Sequence, residues 1–196
     1  MADNQNANPI DDRSMVERFE AGEEYRADHP EIVRRNRRAL RLADEYNRAW
    51  PSDPDGAKEI LAGLFGRVGD EAVVRAPIYI DYGYNIHVGD RTFINFGLTA
   101  LDVVPIHIGS DVFIGPNVNL LAPTHPLDAE RRIAGWESGD PITIEDGVWL
   151  GGNVTVCPGV RIGECSVIGA GAVVTKSIPP YSLAVGNPAR VIRALR

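Results

Sequence analysis

A repeat with a period of six residues runs through the second half of the chain, from Pro141 to Lys176. Each six places an aliphatic side chain at the same position: Ile144, Leu150, Val156, Ile162, Ile168 and Val174. An amphipathic helix repeats every ~3.6 residues, so this spacing excludes it, and glycine and aspartate interrupt the alternation expected of a hairpin strand. A six-residue repeat instead predicts a parallel β-helix.

In a β-helix of this kind, each hexad supplies one short strand and one corner, so three hexads close a triangular coil. The same spacing begins near Ile78, and its register slips by two residues at Val104 to Pro105. Such a slip indicates a bulge or a displaced corner, which often lies beside a functional site. The repeat stops from 122 to 140, and we expect this long segment to leave the prism at one corner and to be functional.

The sequence before the repeat has a different composition. Residues 1–14 are polar and predict a disordered tail. Residues 15–70 carry helical segments punctuated by Pro51, Pro54 and Gly56, and they predict a small helical N-terminal cap. We expect the mainly β domain over 71–196, with the loop 122–140 and a C-terminal extension over 177–196. We expect this extension to form a final turn of strand followed by a short basic helix.

The net charge and the hydropathy limit the partners of the chain. A formal charge of −7 argues against a nucleic-acid partner, which would require a basic stripe. No apolar run approaches the ~20 residues that span a bilayer. The first residues also lack the basic and apolar segments of a secretion signal. We therefore expect a cytoplasmic protein that binds neither nucleic acid nor membrane.

Six motifs occur in a fixed order along the chain: DYGYNIHVG, NFGLTALDVVPIHIG, APTHPLD, PITIEDGVWLGGNVTVCPGV, VIGAGAVVTK and VGNPARVIR. With the preceding segment ERFEAGEEYRADHPEI, they resemble the maltose and galactoside O-acetyltransferases over roughly residues 15–196, and the maltose type most closely. The resemblance implies a left-handed β-helix and a homotrimer with active sites between subunits. It also implies direct transfer of acetyl from acetyl-CoA to a hydroxyl of a maltose, glucose or galactoside acceptor.

His125, in the motif APTHPLD, is the candidate catalytic residue. Acetyl transfer to a hydroxyl needs a base that removes the hydroxyl proton as the oxygen attacks the thioester. An imidazole titrates near neutral pH and suits that role. A lone histidine between prolines is usually an ordinary loop residue. The resemblance, which matches His125 to the catalytic histidine of the family, implies a general base without a covalent acyl-enzyme.

Asn95 and Asp81 match family positions that hold the acceptor sugar, and Asp102 is a weaker candidate nearby. Asparagine and aspartate also favour turns, so a structural role at a corner of the prism is the competing explanation. An aromatic ring is expected against the apolar side of the sugar, and Tyr84 or Phe93 would supply it. The family's acidic cap residue aligns with an alanine here, and the neighbouring Asp28 is a possible substitute.

The resemblance assigns the coenzyme to positions late in the chain: Gly152, Ala170, Thr175, Lys176, Arg190 and Arg193. Cationic side chains suit the phosphates of coenzyme A, and a backbone N–H at Gly152 would suffice to stabilise the thioester oxygen. A solvated C-terminal helix is the competing explanation for the two arginines. Trp149 faces outward in the hexad count and either lines the thioester channel or packs against another subunit.

Three other functions fit parts of the sequence. A metal-dependent carbonic anhydrase with the same fold would use three histidines, and His87, His107 and His125 are spaced by nearly whole coils. The close-spaced pair of histidines that such a site needs is missing, so we expect no metal. A non-catalytic sugar-binding scaffold is disfavoured by the retained catalytic motifs. A xenobiotic acetyltransferase acting on antibiotics remains the alternative within the fold.

Overall fold

The computed structural model describes residues 13–196. The predicted tail over 1–14 therefore lies outside the described residues, except for its last two. Of these, Ser14 starts the first helix α1 (Met15–Glu20). Its hydroxyl accepts from the Glu17 N–H while its own N–H donates to the Glu17 carboxylate, which satisfies both free backbone groups at the start of the helix.

The cap continues with strand β1 (Tyr25–Arg26), helix α2 (Pro30–Ala49) and helix α3 (Pro54–Leu64). Both longer helices start with a proline, which loses no hydrogen bond at that position. Asn47 of α2 fixes the cap to the prism, since its side chain accepts from the Ile78 N–H at 2.8 Å and donates to the Ile78 carbonyl at 3.0 Å. The Tyr46 hydroxyl adds a hydrogen bond to the Val74 carbonyl.

The rest of the chain forms a three-sided prism of short parallel strands. The strands of the first face are β4 (Ile78–Ile80), β7 (Leu98–Leu101), β10 (Asn119–Leu121), β15 (Thr155–Val156) and β18 (Val173–Val174). Those of the second face are β2 (Arg67–Val68), β5 (Ile86–Val88), β8 (Ile106–Ile108), β13 (Ile142–Ile144) and β16 (Arg161–Ile162). Those of the third face are β3 (Val73–Val74), β6 (Phe93–Ile94), β9 (Phe113–Ile114), β14 (Trp149–Leu150), β17 (Val167–Ile168) and β19 (Ser182–Val185). The predicted mainly β parallel β-helix with a helical cap is confirmed, and its first strand begins at Arg67, before the predicted boundary at 71.

Inward-facing side chains fill the prism in layers. Ile86, Ile106 and Ile142 stack on the second face and are fully buried. Burying such a side chain stabilises the fold by about 1.5–3 kcal/mol. Gly109 shows why corners need glycine, because a Cβ there would lie 2.3 Å from an Asp146 carboxylate oxygen in the next coil.

The lengths of successive coils differ, and the difference is confined to one corner. In the upper coils, Thr143 pairs with Arg161, so that a turn takes 18 residues, whereas in the lower coils His87 pairs with His107, 20 residues on. The extra residues lie at 81–85 and 101–105, directly below the loop 122–140. We call this edge, formed by 81–85, 101–105, 121–141 and 157–160, the cap corner. The predicted slip near Val104 is therefore one of two stacked enlargements.

The loop 122–140 has its own secondary structure. It contains β11 (Pro123–Thr124), α4 (Ala129–Ile133) and β12 (Trp136–Gly139). Strand β12 pairs antiparallel with β11 on one side and with β1 of the cap on the other. This three-stranded sheet joins the loop to the cap.

The predicted C-terminal helix is wrong. The chain instead forms strand β20 (Arg190–Ala194), which pairs antiparallel with β19 and ends the third face. A hairpin is favoured here because β19 offers a free edge for backbone hydrogen bonds. Among residues 13–196, no helix is long and apolar enough to cross a membrane.

Candidate active site

A cavity of about 370 Å³ lies at the cap corner, between helix α2, the enlarged corners and the loop. Asp81, Tyr82, His125 and Glu137 line it, so the cavity joins residues from three separate parts of the chain. A second cavity of about 570 Å³ continues from it beneath α4 and shares His125 and Glu137. His125 therefore lies where the two cavities meet.

The tautomer of His125 follows from its backbone contact. Its Nδ1 lies 3.4 Å from the Trp136 carbonyl oxygen of β12. A carbonyl can only accept, so Nδ1 carries the proton and Nε2 is left with a free lone pair. The loop sheet thus orients the imidazole with Nε2 as its basic nitrogen.

Asp81 lies at the first enlarged corner, directly after β4. Asn36 of α2 fixes the backbone there, since its side-chain amide donates to the Asp81 carbonyl at 2.9 Å. Burial raises the pKa of the Asp81 carboxyl to about 6, and the charge of Glu137 adds to the effect. Asp81 thus lines the same cavity as His125.

Glu137 was not singled out from the sequence. In the loop sheet, Pro123 pairs with Gly139 and Thr124 pairs with Ser138. The same register, continued by one residue, places His125 opposite Glu137. On its other side, Glu137 pairs with Tyr25 of the cap. The loop sheet that creates this row has no hexad periodicity, so the repeat analysis gave no signal for it.

Asp102 has a different place from the one predicted. Its side chain is fully buried. One carboxylate oxygen accepts from the Asp81 and Tyr82 N–H groups at 3.2 and 2.8 Å, and the other accepts from the Asn85 N–H at 3.2 Å. Burial raises its pKa to about 6, although these backbone donors act in the opposite direction. Asp102 holds the enlarged corner in shape and does not line the cavity.

The aromatic side chain of the cavity is Tyr82. The predicted Tyr84 lies in another cavity, beneath α1, with its ring 5.9 Å from that of Tyr82. Asp28 lines the second cavity with His125, but it is exposed and pairs with Arg26 at 2.6 Å. The structure therefore brings Asp28 near the histidine and places Tyr84 away from it.

Asn95 lies at a different corner, which also holds Gly152 and Ala170. We call this edge, formed by 95–97, 115–118, 151–154 and 169–172, the glycine corner. Within one chain it lies at the opposite end of the first-face strands from the cap corner. The N–H groups of Gly152 and Ala170 make no hydrogen bond within the described residues, which leaves both free to bind a ligand.

The third face leads to the glycine corner and carries an outward stripe of large apolar side chains. Phe93, Phe113 and Trp149 are aligned in register along it. Phe113 and Trp149 are each 55% exposed, while the Arg75 guanidinium covers Phe93. A stripe of this kind is typical of a protein interface.

The remaining predicted coenzyme residues lie at the C-terminal end of the prism. Thr175 and Lys176 follow β18 at the top of the cap-corner edge, two coils above the loop. Arg190 and Arg193 lie on β20 and are exposed. Among residues 13–196, none of these three cations forms an ion pair with a carboxylate. They remain available for a phosphate.

The three histidines of the metal alternative do not converge. The His87 and His107 rings stack at 4.9 Å on the second face, whereas His125 belongs to the loop. Burial, and then His107 and Arg67, lower the pKa of His87. No group of three or more potential metal ligands occurs in the described part of the chain. A groove of about 990 Å³ also follows this face, and none of the predicted site residues lines it.

Two family models match the chain. The maltose acetyltransferase hexapeptide capping motif covers residues 18–69, and the bacterial transferase hexapeptide model with six repeats covers 141–176. The galactoside O-acetyltransferase of Escherichia coli K12 is 41% identical over 181 residues, which cover 92% of this chain and 89% of that protein. The chain is a hexapeptide-repeat acetyltransferase. The resemblance recognised in the motifs is thereby confirmed.

Solved structures of this acetyltransferase family share the whole fold. A maltose O-acetyltransferase from Clostridium difficile 630 superposes with a TM-score of 0.91 at 42% identity, covering 94% of this chain and 98% of that one. A hexapeptide-repeat acetyltransferase from Vibrio cholerae, solved in complex with acetyl coenzyme A, gives a TM-score of 0.87 at 38% identity. That match covers 94% of this chain and 100% of the other.

Proposed function

We propose that this acetyltransferase transfers acetyl from acetyl-CoA to a sugar hydroxyl, with His125 as the general base. The position of His125 carries the proposal, because its Nε2 is free and the ring lines a cavity with polar groups from both cap and prism. The relatives named maltose and galactoside O-acetyltransferase support a sugar acceptor. Maltose, glucose and galactosides are the first acceptors to consider.

The reaction needs one general base and one hydrogen-bond donor to the oxyanion. Nε2 of His125 takes the proton of the acceptor hydroxyl as its oxygen attacks the thioester carbonyl carbon. The tetrahedral oxyanion would receive a hydrogen bond from the free Gly152 N–H. When the carbon–sulfur bond breaks, the proton passes from His125 to the departing thiolate, and no acyl-enzyme forms.

The coenzyme would lie along the prism axis. Extended pantetheine has amide groups that can pair with the free Ala170 N–H, and Thr175 would face this path from the cap-corner edge of a neighbouring chain. Lys176, Arg190 and Arg193 would then bind the phosphates, since charge-assisted hydrogen bonds to phosphate are strong. Acetyl-CoA in the Vibrio cholerae relative supports acetyl-CoA as the acetyl donor. The acceptor would occupy the cavity at the opposite, cap end of the same cleft.

We further propose a homotrimer whose sites lie between chains. The cap corner holds His125 and Asp81, whereas the glycine corner of the same chain holds Asn95 and Gly152 at the far end of the strands. Docking the cap corner of one chain against the glycine corner of the next completes the site. It also covers the apolar stripe that contains Trp149.

The proposal is tested by release of free coenzyme A from acetyl-CoA with glucose, maltose, a galactoside and chloramphenicol as acceptors. We expect sugar-dependent turnover that falls by about 10²- to 10⁴-fold in His125→Ala, because the variant lacks the base. His107→Ala is the matched control, since His107 is an exposed histidine on the second face. Turnover only with chloramphenicol would favour the xenobiotic alternative. Equal turnover in wild type and His125→Ala would refute the mechanism.

A further inference from the structure

The acceptor cavity contains two carboxylates that form no ion pair within residues 13–196. These are Asp81 and Glu137, which both line it. The arginines on the neighbouring cap strand and loop, Arg26 and Arg131, are paired with other carboxylates at 2.6 Å. Arg37 lines the cavity and Arg132 lines the adjoining one, but neither forms an ion pair with Asp81 or Glu137. The cavity therefore holds two carboxylates that are not engaged in an ion pair and can bind a cationic group.

The effect of this charge reaches the tyrosines around the cavity. Burial first, and then Asp81 and Glu137, raise the pKa of Tyr82. Tyr25, which pairs with Glu137 across the loop sheet, is also buried, and burial first, then Glu137 and Tyr82, raise its pKa. Asp81 and Glu137 thus give a negative surface to the cavity that also contains His125.

A carboxylate pair of this kind is stabilised most by a ligand that brings a positive charge with it. Neutral hydroxyls can donate to both carboxylates, but charge-assisted hydrogen bonds are roughly twice as strong. We propose that the acceptor is an amino sugar whose ammonium group binds between Asp81 and Glu137 while a hydroxyl of the same sugar faces His125. Glu137 then becomes a specificity-determining residue of the acetyl transfer.

The proposal specifies which atom of the acceptor reacts. A protonated amino group has no lone pair, so it cannot attack the thioester while it is bound to the carboxylates. The hydroxyl oxygen instead forms the new bond to the acetyl carbon, and its proton goes to Nε2 of His125. The product is an O-acetyl sugar that retains its amino group.

This inference rests on the proposed function, and its test compares glucose with glucosamine, which differs by an amino group in place of one hydroxyl. We expect kcat/KM to be about tenfold higher for glucosamine in the wild type. The preference should disappear in Glu137→Gln, which keeps the shape of the side chain and removes its charge. Glu130→Gln is the matched control, because Glu130 lies on α4 in the same loop but lines neither cavity.

Binding measured by calorimetry without acetyl-CoA separates this inference from the acetyl transfer itself. Glucosamine should bind about tenfold more tightly than glucose, and Glu137→Gln or Asp81→Asn should remove the difference. The second variant keeps the test decisive if the first fails to fold, as checked by circular dichroism. Equal binding of the two sugars, or an N-acetyl product by NMR, would overturn the inference while leaving sugar acetylation intact.

Discussion

At the scale of single residues, the site depends on carboxylates with different tasks. Asp102 resembles a ligand-binding residue in the sequence, yet it uses both oxygens to bind backbone N–H groups of the corner below. Asp81 lies one coil lower and faces the cavity. The sequence shows that both are corner residues, but which one is buried depends on the two-residue enlargement of stacked corners. For that reason, the hexad repeat alone does not predict which of the two carboxylates is buried.

The raised pKa of Asp81 predicts a pH-dependent change in stability. Its folded pKa of about 6 exceeds the ordinary value of 3.8, so the contribution of this group to stability is complete below about pH 4 and is lost as pH rises through 6. The Asp81→Asn variant has no carboxyl group to ionise at this position, so it does not lose stability in this way. Its free energy of unfolding relative to wild type should therefore increase by about 1–2 kcal/mol between pH 4 and 7.5, after a reduction for partial exposure.

Urea denaturation at a series of pH values measures this difference. Asp111→Asn is the control of opposite sign, because the adjacent Arg91 lowers the pKa of Asp111. Its stability relative to wild type should fall as pH rises. A difference between Asp81→Asn and wild type that does not vary with pH would show that Asp81 has the same pKa in the folded and unfolded states, and would contradict the prediction.

At the scale of elements, the loop sheet links the cap to the proposed catalytic histidine. Strand β12 contacts β1 on one side and β11, which leads into His125, on the other. The sequence predicted the helical cap and a loop leaving one corner. It did not predict their pairing, because strands of two and four residues separated by more than a hundred residues leave no local pattern. Glu137 was missed for the same reason.

An ion pair supports this connection. The Arg131 guanidinium lies 2.6 Å from the Glu24 carboxylate of the cap and 5.8 Å from the centre of the Trp136 ring. Arg131→Ala should raise the KM for the sugar by about two- to fivefold through a looser loop, since exposed pairs of this type contribute at most about 1 kcal/mol. The KM for acetyl-CoA should not change.

Steady-state kinetics with each substrate varied in turn distinguishes the two effects. Arg161→Ala is the matched control, because Arg161 forms an exposed ion pair with Glu145 on the second face. An equal rise in both KM values for Arg131→Ala would instead indicate a general loss of structure.

At the scale of the whole molecule, the two halves of the proposed site lie at two different corners of one chain. His125 and Asp81 lie at the cap corner, and Asn95 and Gly152 lie at the glycine corner. The hexad count predicted the prism and its outward positions, including Trp149. It could not show which edges meet in an assembly, because the same corner geometry recurs in every coil. The separation of the two halves is the observation that calls for a neighbouring chain.

Complementation between two inactive variants tests this shared site most directly. His125→Ala and Asn95→Ala, each inactive alone, are unfolded together and refolded as mixed trimers, and acetyl transfer is measured. If each site takes His125 from one chain and Asn95 from the next, about a quarter of the sites in a random mixture are intact. We therefore expect about a quarter of the wild-type activity. Activity no higher than that of the separate variants would contradict a site built between subunits.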